Sequence, residues 1–446
     1  MKRFLTKLIF ALIFGAFVSP LATAQDTLKI NFQEAITIGL AKNLDYRILQ
    51  NTQEVLKKDA QSAMAGHLPS ANFSSSFMRQ TGQQFQQIEG EIVVTKETNE
   101  IVSPGFGLSM PVFNSGRRIL DTQSAILAQK AGEKGLDRAK QQIVFDVARR
   151  YMQVLLDQEL LRIATENLVN QKKQLLQIEG FVEAGLRTVS DLYNQQAEVA
   201  RVESLVLDSE LALENDRWLL AEYLQLEVGK IPVLEPVDVS TFTNDLADLN
   251  IDQLYEMATQ SRPDLQQQAL LVNSYKKDYQ AIKAMMFPRL SAFYNYGTFY
   301  TSLDSRPMRS QLLDIYPQNT FGLSLNVPIF NALQSRVDVA RSKMIHHNQG
   351  LRRDALDRKV YQEVKLAYQT YQVALRKSAN ASVRLKAATE AQLAVAERFR
   401  LGLSNFVDLA TANQTLVNSQ ADQAQAAYTL YFQEVLMNYA LGTLNY

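Results

Sequence analysis

Hydrophobic positions recur every three and four residues along two long stretches of the chain, one from Ser115 to Gly180 and one after Asn331. This heptad spacing continues over about six heptads, which predicts long helices with coiled-coil packing. No proline interrupts the first stretch, so at 1.5 Å per residue it could form a helix roughly 100 Å long. The two seams consist of Ile143, Val147, Arg150, Val154, Asp157, Leu161, Ala164, Leu168, Gln171, Leu175, Ile178 and Val182, and of Val360, Val364, Ala367, Tyr371, Ala374, Ser378, Ala381, Leu385, Ala388, Gln392, Val395 and Phe399.

Four shorter segments alternate apolar and polar residues, which is typical of strands with one apolar face. Strands of about ten residues with this repeat fit a membrane β-barrel, although a half-buried sheet of a soluble protein alternates in the same way. We expect the polar segments 78–102 and 301–317 to be exposed loops outside the cell. The apolar positions are Phe73, Phe77, Phe106, Leu108, Met110, Leu290, Ala292, Tyr294, Tyr296, Phe321, Leu323, Leu325 and Val327.

Four strands cannot close a barrel, and open sheet edges are not tolerated in lipid. If these segments span a bilayer, copies of the chain must therefore combine. Three copies would supply twelve strands, which is within the range known for membrane barrels.

The chain contains an internal duplication. Pro111 and Pro328 each lie in a Pro-[Val/Ile]-Phe-Asn motif and are 217 positions apart, and Gly185 and Gly402 are separated by the same offset. Each half follows the order helix, strand, loop, strand, long helix, turn, long helix. The ordered matches predict a first repeat over residues 25–229, a turn-rich connector over 230–250 and a second repeat over 251–446.

Residues 1–24 have the pattern of a secretory signal peptide. Lys2, Arg3 and Lys7 precede the apolar run Leu8 to Val18, and Ala22-Thr23-Ala24 gives a small-x-small cleavage signature. This run is too short to cross a bilayer as a helix. We expect cleavage before Gln25 and export of the mature chain.

Composition and charge reduce the number of functional classes to which the chain could belong. Lys plus Arg and Asp plus Glu both number 46, and this balance argues against a nucleic-acid partner. Cysteine is absent, and the adjacent pair His346 and His347 cannot point the same way on a helix. We recognise no Walker-type loop and no convincing Ser–His–Asp set. We therefore expect no metal, no cofactor and no enzymatic activity.

The duplicated motifs, the repeated Gly-Leu and the terminal Leu441-Gly442-Thr443-Leu444-Asn445 resemble the TolC-like outer-membrane efflux protein family over essentially the whole mature length. The resemblance implies a mainly α fold with a small membrane β-barrel, built from duplicated helix-strand-strand-helix-helix repeats. It further implies a homotrimer in which a twelve-stranded barrel in the outer membrane continues into a long periplasmic α-helical tunnel. The implied partners are a periplasmic adaptor protein, an inner-membrane transporter and outer-membrane lipid.

The same resemblance assigns roles to the two turns between the long helices. These turns match the tips that meet the adaptor in the family, with glycine permitting the turn and leucine forming an exposed apolar knob. A plain helix-hairpin turn fits the same residues and stays an alternative. The proposed contact residues are Gly185, Leu186, Arg187, Gly402, Leu403 and Ser404.

Asp408 falls where the family places an aspartate that lines the periplasmic aperture, and Asp191 is its counterpart in the first half. Three symmetry-related carboxylates around a narrow opening would attract cations and influence gating. The family's second aspartate, one turn later, is Thr411 here, which weakens the predicted acidic ring. An N-cap or solvated residue is the other interpretation of Asp408.

Taken together, these features predict a passive exit duct of a tripartite efflux or secretion system, driven by its partners. The alternative is a periplasmic coiled-coil scaffold or adhesin without channel activity. A heat-resistant trimer that partitions with the outer membrane and conducts ions would favour the duct, whereas a soluble rod would favour the scaffold.

Overall fold

The computed structural model describes residues 28–88, 90–95, 98–237 and 249–444. The predicted signal peptide 1–24 and most of the connector 230–250 lie outside the described residues. The chain divides into two compact units. The strand unit consists of Ile48–Arg138 and Arg262–Tyr361, and the helical unit consists of the described residues within Met1–Arg47, Ala139–Ser261 and Gln362–Tyr446.

Helices dominate the chain, and two of them, α3 and α7, are 67 residues long. At 1.5 Å per residue each is about 100 Å long, so the long uninterrupted helices predicted from the heptads are present. Among the described residues, none of the helices combines the length and apolarity needed to cross a membrane. The helices are α1 Phe32–Lys42, α2 Leu44–Ala65, α3 Arg117–Glu183, α4 Val189–Tyr223, α5 Ile251–Ser261, α6 Pro263–Ala284, α7 Gln334–Arg400 and α8 Phe406–Leu441, with short helical turns at Met308–Ser310 and Gln311–Ile315.

Seam residues of α3 and α7 contribute to the core of the helical unit. Because burying each apolar side chain removes surface from water, a continuous seam stabilises the packing of long helices along their length. Two polar residues, Asp157 and Gln171, are buried in the α3 seam among the apolar ones. Buried apolar seam residues are Ile143, Val147, Val154, Ala164 and Ile178 in α3 and Val364, Ala367, Tyr371, Ala374, Ala381, Ala388 and Phe399 in α7.

The strand unit contains one antiparallel sheet with four long strands in the order β2-β5-β7-β9. The outer strands of this path, β2 and β9, each pair with one neighbour among the described residues. The strands are β2 Ser70–Thr81, β5 Thr98–Phe113, β7 Arg289–Gly297 and β9 Gln318–Asn326, with β8 Tyr300–Thr301 pairing to β5. Two small pairs complete the strands: β1 Leu28–Ile30 with β6 Pro232–Leu234, and β3 Gln84–Ile88 with β4 Glu91–Thr95.

The expectation that 78–102 is a loop is wrong. Strand β2 continues to Thr81, β5 begins at Thr98, and the hairpin β3–β4 fills most of the interval. Arg79 pairs with Glu100 in the ladder, with 3.7 Å between Arg79 Nε and Glu100 Oε1. Backbone hydrogen bonds form the ladder whatever the side chains are, so polar residues extend the strands beyond the apolar pattern. Segment 301–317 keeps more of its loop character, although it contains helical turns.

The order of elements in the two halves agrees with the predicted duplication. A helix, α2 or α6, precedes the strands in each half, and a 67-residue helix followed by a shorter one ends each half. The limits 25–229, 230–250 and 251–446 of the repeats and connector stay predictions.

Candidate functional site

The sheet of the strand unit has one apolar face, and large side chains on it are open to solvent. Cross-strand register brings Phe73, Phe106 and Tyr296 into one row. Phe73 is 73% exposed and Phe321 is 78% exposed. A soluble sheet would bury such a face against a second layer. An apolar face of this size is stable only when it is covered by another apolar surface, and the hydrocarbon core of a membrane provides one.

The opposite face carries small and polar side chains. A Cβ placed on Gly107 would lie 2.8 Å from Asn72 Oδ1 and 3.1 Å from Asn295 Oδ1, so both amides sit over this glycine. Phe293 is an exception on the polar face, since its ring lies over Gly322, where an added Cβ would be 2.6 Å from Phe293 Cζ. The small and polar residues of this face include Ser70, Asn72, Ser74, Ser76, Ser103, Gly105, Gly107, Ser109, Ser291, Asn295, Gly297, Gln318, Thr320, Gly322, Ser324 and Asn326.

The two predicted tips have the same backbone geometry. Gly185 and Gly402 have φ of +71° and +76°, the left-handed conformation that ends a helix in a Schellman turn. The N–H of Leu186 donates to the carbonyl of Phe181 over 2.8 Å, and that of Leu403 donates to the carbonyl of Arg398 over 2.8 Å. Leu186 and Leu403 are 71% and 67% exposed, so each tip presents an apolar knob.

Arg187 is engaged inside the helical unit and does not extend outward from its tip. Its guanidinium donates to the carbonyl of Phe399 over 2.7 Å and to that of Ser404 over 3.5 Å, and Cζ lies 4.0 Å from the centre of the Phe399 ring. Carbonyls at a helix C-terminus lack intrahelical donors and attract cations. Arg187 therefore joins the first tip to the second.

Asp191 and Asp408 both occupy the third position of a helix and take part in caps. Asp191 forms a capping box with Thr188, whose backbone N–H donates to Asp191 Oδ2 over 3.3 Å. The N–H of Asp408 donates to Asn405 Oδ1 over 2.8 Å, and Ser404 Oγ donates to Asp408 Oδ2 over 2.9 Å. An acidic side chain at this position also interacts favourably with the partial positive charge of the helix N-terminus.

Asp408 and Thr411 are exposed near the start of α8. Thr411 lies in a groove of about 620 Å³ that Glu198 and Arg201 of α4 also line. A lining role of Asp408, Asp191 and Thr411 at an aperture, and adaptor contact at the tips, stay predictions.

Sequence reasoning missed the pairing of a buried aspartate, Asp157, with a partly exposed one, Asp216, in the helical unit. Burial and the nearby carboxyl of Asp216 raise the pKa of Asp157 to about 7. Gln153 Nε2 donates to Asp157 Oδ1 over 3.1 Å. The sequence did contain a signal for this pair, because the charged side chain of Asp157 occupies a position of the predicted heptad seam. Among the residues that the structure describes, there is no cluster of three or more acidic or histidine side chains that could hold a metal.

The chain matches the family model described as "Outer membrane efflux protein" over residues 38–224 and 254–443. It is similar to the outer membrane protein TolC of Salmonella enteritidis, at 23% identity over 312 residues. That match covers 69% of this chain and 62% of the relative's own length. It is also similar to TolC of Vibrio cholerae, at 24% identity over 355 residues and 78% of each chain.

Among solved structures, the fold is similar to that of CusC, with a TM-score of 0.80 at 18% sequence identity. The alignment covers 93% of both chains. At this identity the likeness shows the fold alone: long helices and a small sheet in the same arrangement of chain segments.

Proposed function

The chain belongs to the outer membrane efflux protein family, and on this premise we propose that it is the outer-membrane exit duct of a tripartite efflux system. It acts in the outer membrane as a passive channel and carries out no chemistry of its own. The energy for transport comes from an inner-membrane transporter, which a periplasmic adaptor connects to the duct.

The observation that carries the proposal is the two-faced sheet. Its exposed aromatic face suits lipid, and its face of Ser, Asn, Gly and Thr suits a water-filled lumen. A scaffold or adhesin without a channel has no need for such a face, and nothing observed favours that alternative. The exposed Phe73 and Phe321 lie on the two outer strands, so lipid would contact the sheet across its width.

Three copies complete the channel in this proposal. One chain supplies four long strands, and β2 and β9 end the path with edges available for further pairing. Unpaired backbone groups are costly in lipid, so pairing β2 of one copy with β9 of the next removes the edges. Three copies close a twelve-stranded barrel, a size within the known range.

The tips of the helical unit meet the adaptor. Leu186 and Leu403 are exposed apolar knobs held on rigid Schellman turns, and burying such groups against a partner is favourable. Gly185 and Gly402 give the turns, Ser404 supports Asp408, and Arg187 holds the two tips together. Of the proposed contact residues, the leucines are therefore the direct contacts.

Asp408 lines the periplasmic aperture together with Asp191 of the other tip and with Thr411 one turn later, whose hydroxyl adds no charge to the ring. Asp408 is exposed, so its charge can act on passing ions. Three carboxylates, one from each copy, raise the local concentration of cations at a narrow opening.

Electrical recording of the purified protein in planar lipid bilayers tests this proposal. The parent should conduct ions and prefer cations in a KCl gradient. Asp408→Asn should lower the cation preference, because it removes the charge and keeps an oxygen that can accept from Ser404. Asp208→Asn, on an exposed face of α4, is the matched control.

The outcomes separate the parts of the proposal. A parent that forms no channels contradicts the duct. A conducting parent whose reversal potential is unchanged in Asp408→Asn removes Asp408 from the aperture and leaves the duct intact.

A further inference from the structure

All four long strands adjoin helices at the same end of the sheet, and these junctions carry exposed apolar side chains. The start of β2 pairs with the end of β5, and the ends of β5 and β9 pair with the start of β7. Ile329 and Phe330, which follow β9, are 93% and 80% exposed. We call these exposed residues the junction collar: Leu68, Val112, Phe113, Met286, Phe287, Ile329, Phe330 and Leu333.

The junction collar continues the apolar face of the sheet. Leu323 and Leu325 lie on that face of β9, and Val327 and Ile329 keep the same two-residue spacing beyond the end of the strand. An exposed apolar stripe of this length is stable only when another apolar surface covers it along its whole length. The placement of the collar at a membrane boundary rests on the proposed duct, whose sheet lies in lipid.

The backbone at Leu333 is strained. Its φ is +65°, and Gly116, at the equivalent position of the first repeat, has φ of +78°. Glycine adopts this left-handed conformation readily, whereas the Cβ of a leucine clashes with the backbone there. The side chain of Leu333 is nonetheless 53% exposed, so packing within the chain does little to offset the strain. An apolar environment outside the chain would stabilise this side chain.

Basic side chains follow the collar on the first turns of α7. Arg336 and Lys343 are exposed, and because they are seven residues apart they lie on one face of the helix. Asp338, the only acidic residue between them, accepts from Gln334 Nε2 over 3.0 Å and lies 3.7 Å from Arg341 Nη1. Among the residues that the structure describes, neither Arg336 nor Lys343 forms an ion pair with a carboxylate. Both cations are therefore available to an anion outside the chain.

The direction of α7 brings these cations back toward the collar. Side chains of a helix lean toward its N-terminus, and the N-terminus of α7 is the end that adjoins β9. Arg336 is the third residue of α7, so its Cα lies only about 3 Å along the axis from the first. The headgroup layer is several ångströms deep on each side of the hydrocarbon core. With the collar at the edge of that core, the guanidinium reaches the level of the lipid phosphates.

We propose that the junction collar inserts at the periplasmic boundary of the membrane and that Arg336, together with Lys343, binds the phosphate of an anionic glycerophospholipid. The apolar side chains contact the upper part of the acyl chains, and the guanidinium forms charged hydrogen bonds with the phosphate. In the first repeat, Ile119 stands at the position equivalent to Arg336, and Arg117 pairs with Asp121. The basic part of the site therefore belongs to the second repeat. The bound lipids fix the depth at which the sheet sits in the bilayer.

Tryptophan fluorescence of the full-length protein in lipid vesicles tests the insertion. Trp218→Phe removes the single tryptophan of the chain. In that background, Phe330→Trp places a reporter in the collar, and Phe321→Trp places one on the apolar face of β9. The vesicles contain phosphatidylglycerol and phosphatidylcholine with bromine atoms at a chosen depth. The reporter at position 330 should lose more intensity with bromines near the headgroup than with bromines near the terminal methyl.

The two reporters separate failure of the collar from failure of the duct. Quenching at position 321 without quenching at position 330 would overturn the collar and leave the duct intact, because protein, such as a second copy of the chain, would then cover the junctions. Absence of quenching at both positions would contradict the lipid-facing sheet of the duct, and the proposed collar would fall with it.

Native mass spectrometry of the detergent-solubilised protein measures the phosphate contact. The parent should bind phosphatidylglycerol more tightly than phosphatidylcholine. Arg336→Gln should lower the affinity for phosphatidylglycerol about fivefold, whereas Arg336→Lys should retain most of it, because the charge is kept. Arg352→Gln is the matched control, since Arg352 is exposed and lies about 24 Å farther along α7. Equal affinity of the parent for the two lipids, or equal losses in Arg336→Gln and Arg352→Gln, would overturn the lipid site.

Discussion

A single acidic side chain, Asp157, interrupts the apolar seam of α3. It is 7% exposed, and Asp216 of α4 is the other carboxyl that acts on it. Burial and the neighbouring carboxyl of Asp216 both disfavour the ionised form of Asp157, so Asp157 holds its proton more tightly than an exposed aspartate does. Because Asp157 has a pKa of about 7, its protonation changes within the physiological range.

We predict that the helical unit loses stability as the pH rises through about 7. The pKa of Asp157 is higher in the folded chain than its ordinary value of 3.8. The folded state therefore binds the proton more tightly, so with respect to this group stability is greatest below about pH 4, declines as the pH rises toward the folded pKa of about 7, and levels off above it. Thermal unfolding followed by circular dichroism from pH 5 to 9 measures the effect.

Asp157→Asn should flatten this pH dependence and make the helical unit at least as stable as the parent at pH 8, since the amide can donate to Asp216. Asp208→Asn on the same pair of helices should retain the dependence. A parent whose unfolding temperature is the same at pH 6 and pH 8 would show that the pair does not share a proton.

Arg187 is the second residue whose individual contacts suggest a role, because its guanidinium joins the two tips. We predict that Arg187→Ala speeds hydrogen exchange roughly tenfold in the backbone around Phe399 to Ser404, because the charged hydrogen bond and the ring contact are lost. Mass spectrometry of that peptide measures the change. Arg400→Ala is the control, since Arg400 pairs with Glu397 of its own helix. Equal exchange in both variants would argue against the connection between the tips.

At the scale of elements, the long helices could be predicted from the sequence because heptad spacing reports burial directly. In α7 the buried apolar residues from Val360 onward are seam positions, whereas in α3 burial extends beyond the predicted seam to residues such as Val144, Ala148, Tyr151 and Leu155. The length of the strands could not be predicted, because Arg79 to Thr81 and Thr98 to Glu100 extend the ladder with polar residues on both faces. Period-two alternation detects only the part of a strand whose faces differ.

At the tips, too, the local backbone could be predicted from the sequence but the long-range contacts could not. Gly185 and Gly402 were predictable as turns, because their left-handed φ needs glycine. That Arg187 bonds to Phe399 could not be predicted, because the contact joins residues 212 positions apart.

We predict that an arginine substitution impairs assembly on one face of β9 and is tolerated on the other. Phe321→Arg should reduce assembly into membranes by about 2–4 kcal/mol, because it places a charge on the lipid face. Thr320→Arg, one residue away on the polar face, should assemble like the parent. The fraction of heat-resistant oligomer in detergent extracts of the membrane measures both. Equal assembly of the two variants would contradict a lipid-facing side.

At the scale of the whole molecule, the family and the mainly helical fold with a small sheet are confirmed. The duplicated Pro-[Val/Ile]-Phe-Asn and Gly-Leu motifs carried the resemblance, since each lies at a junction where the backbone has few alternatives. The assembly of three copies stays a prediction, because one chain contains only a third of the proposed barrel.

Native mass spectrometry of the protein extracted from the outer membrane tests the closed ring most directly. Ions released from the detergent micelle should carry the mass of three mature chains, because the edges of β2 and β9 are satisfied only when each pairs with a neighbouring copy. A stable single chain that remains dissolved after the detergent is removed would contradict the closed ring.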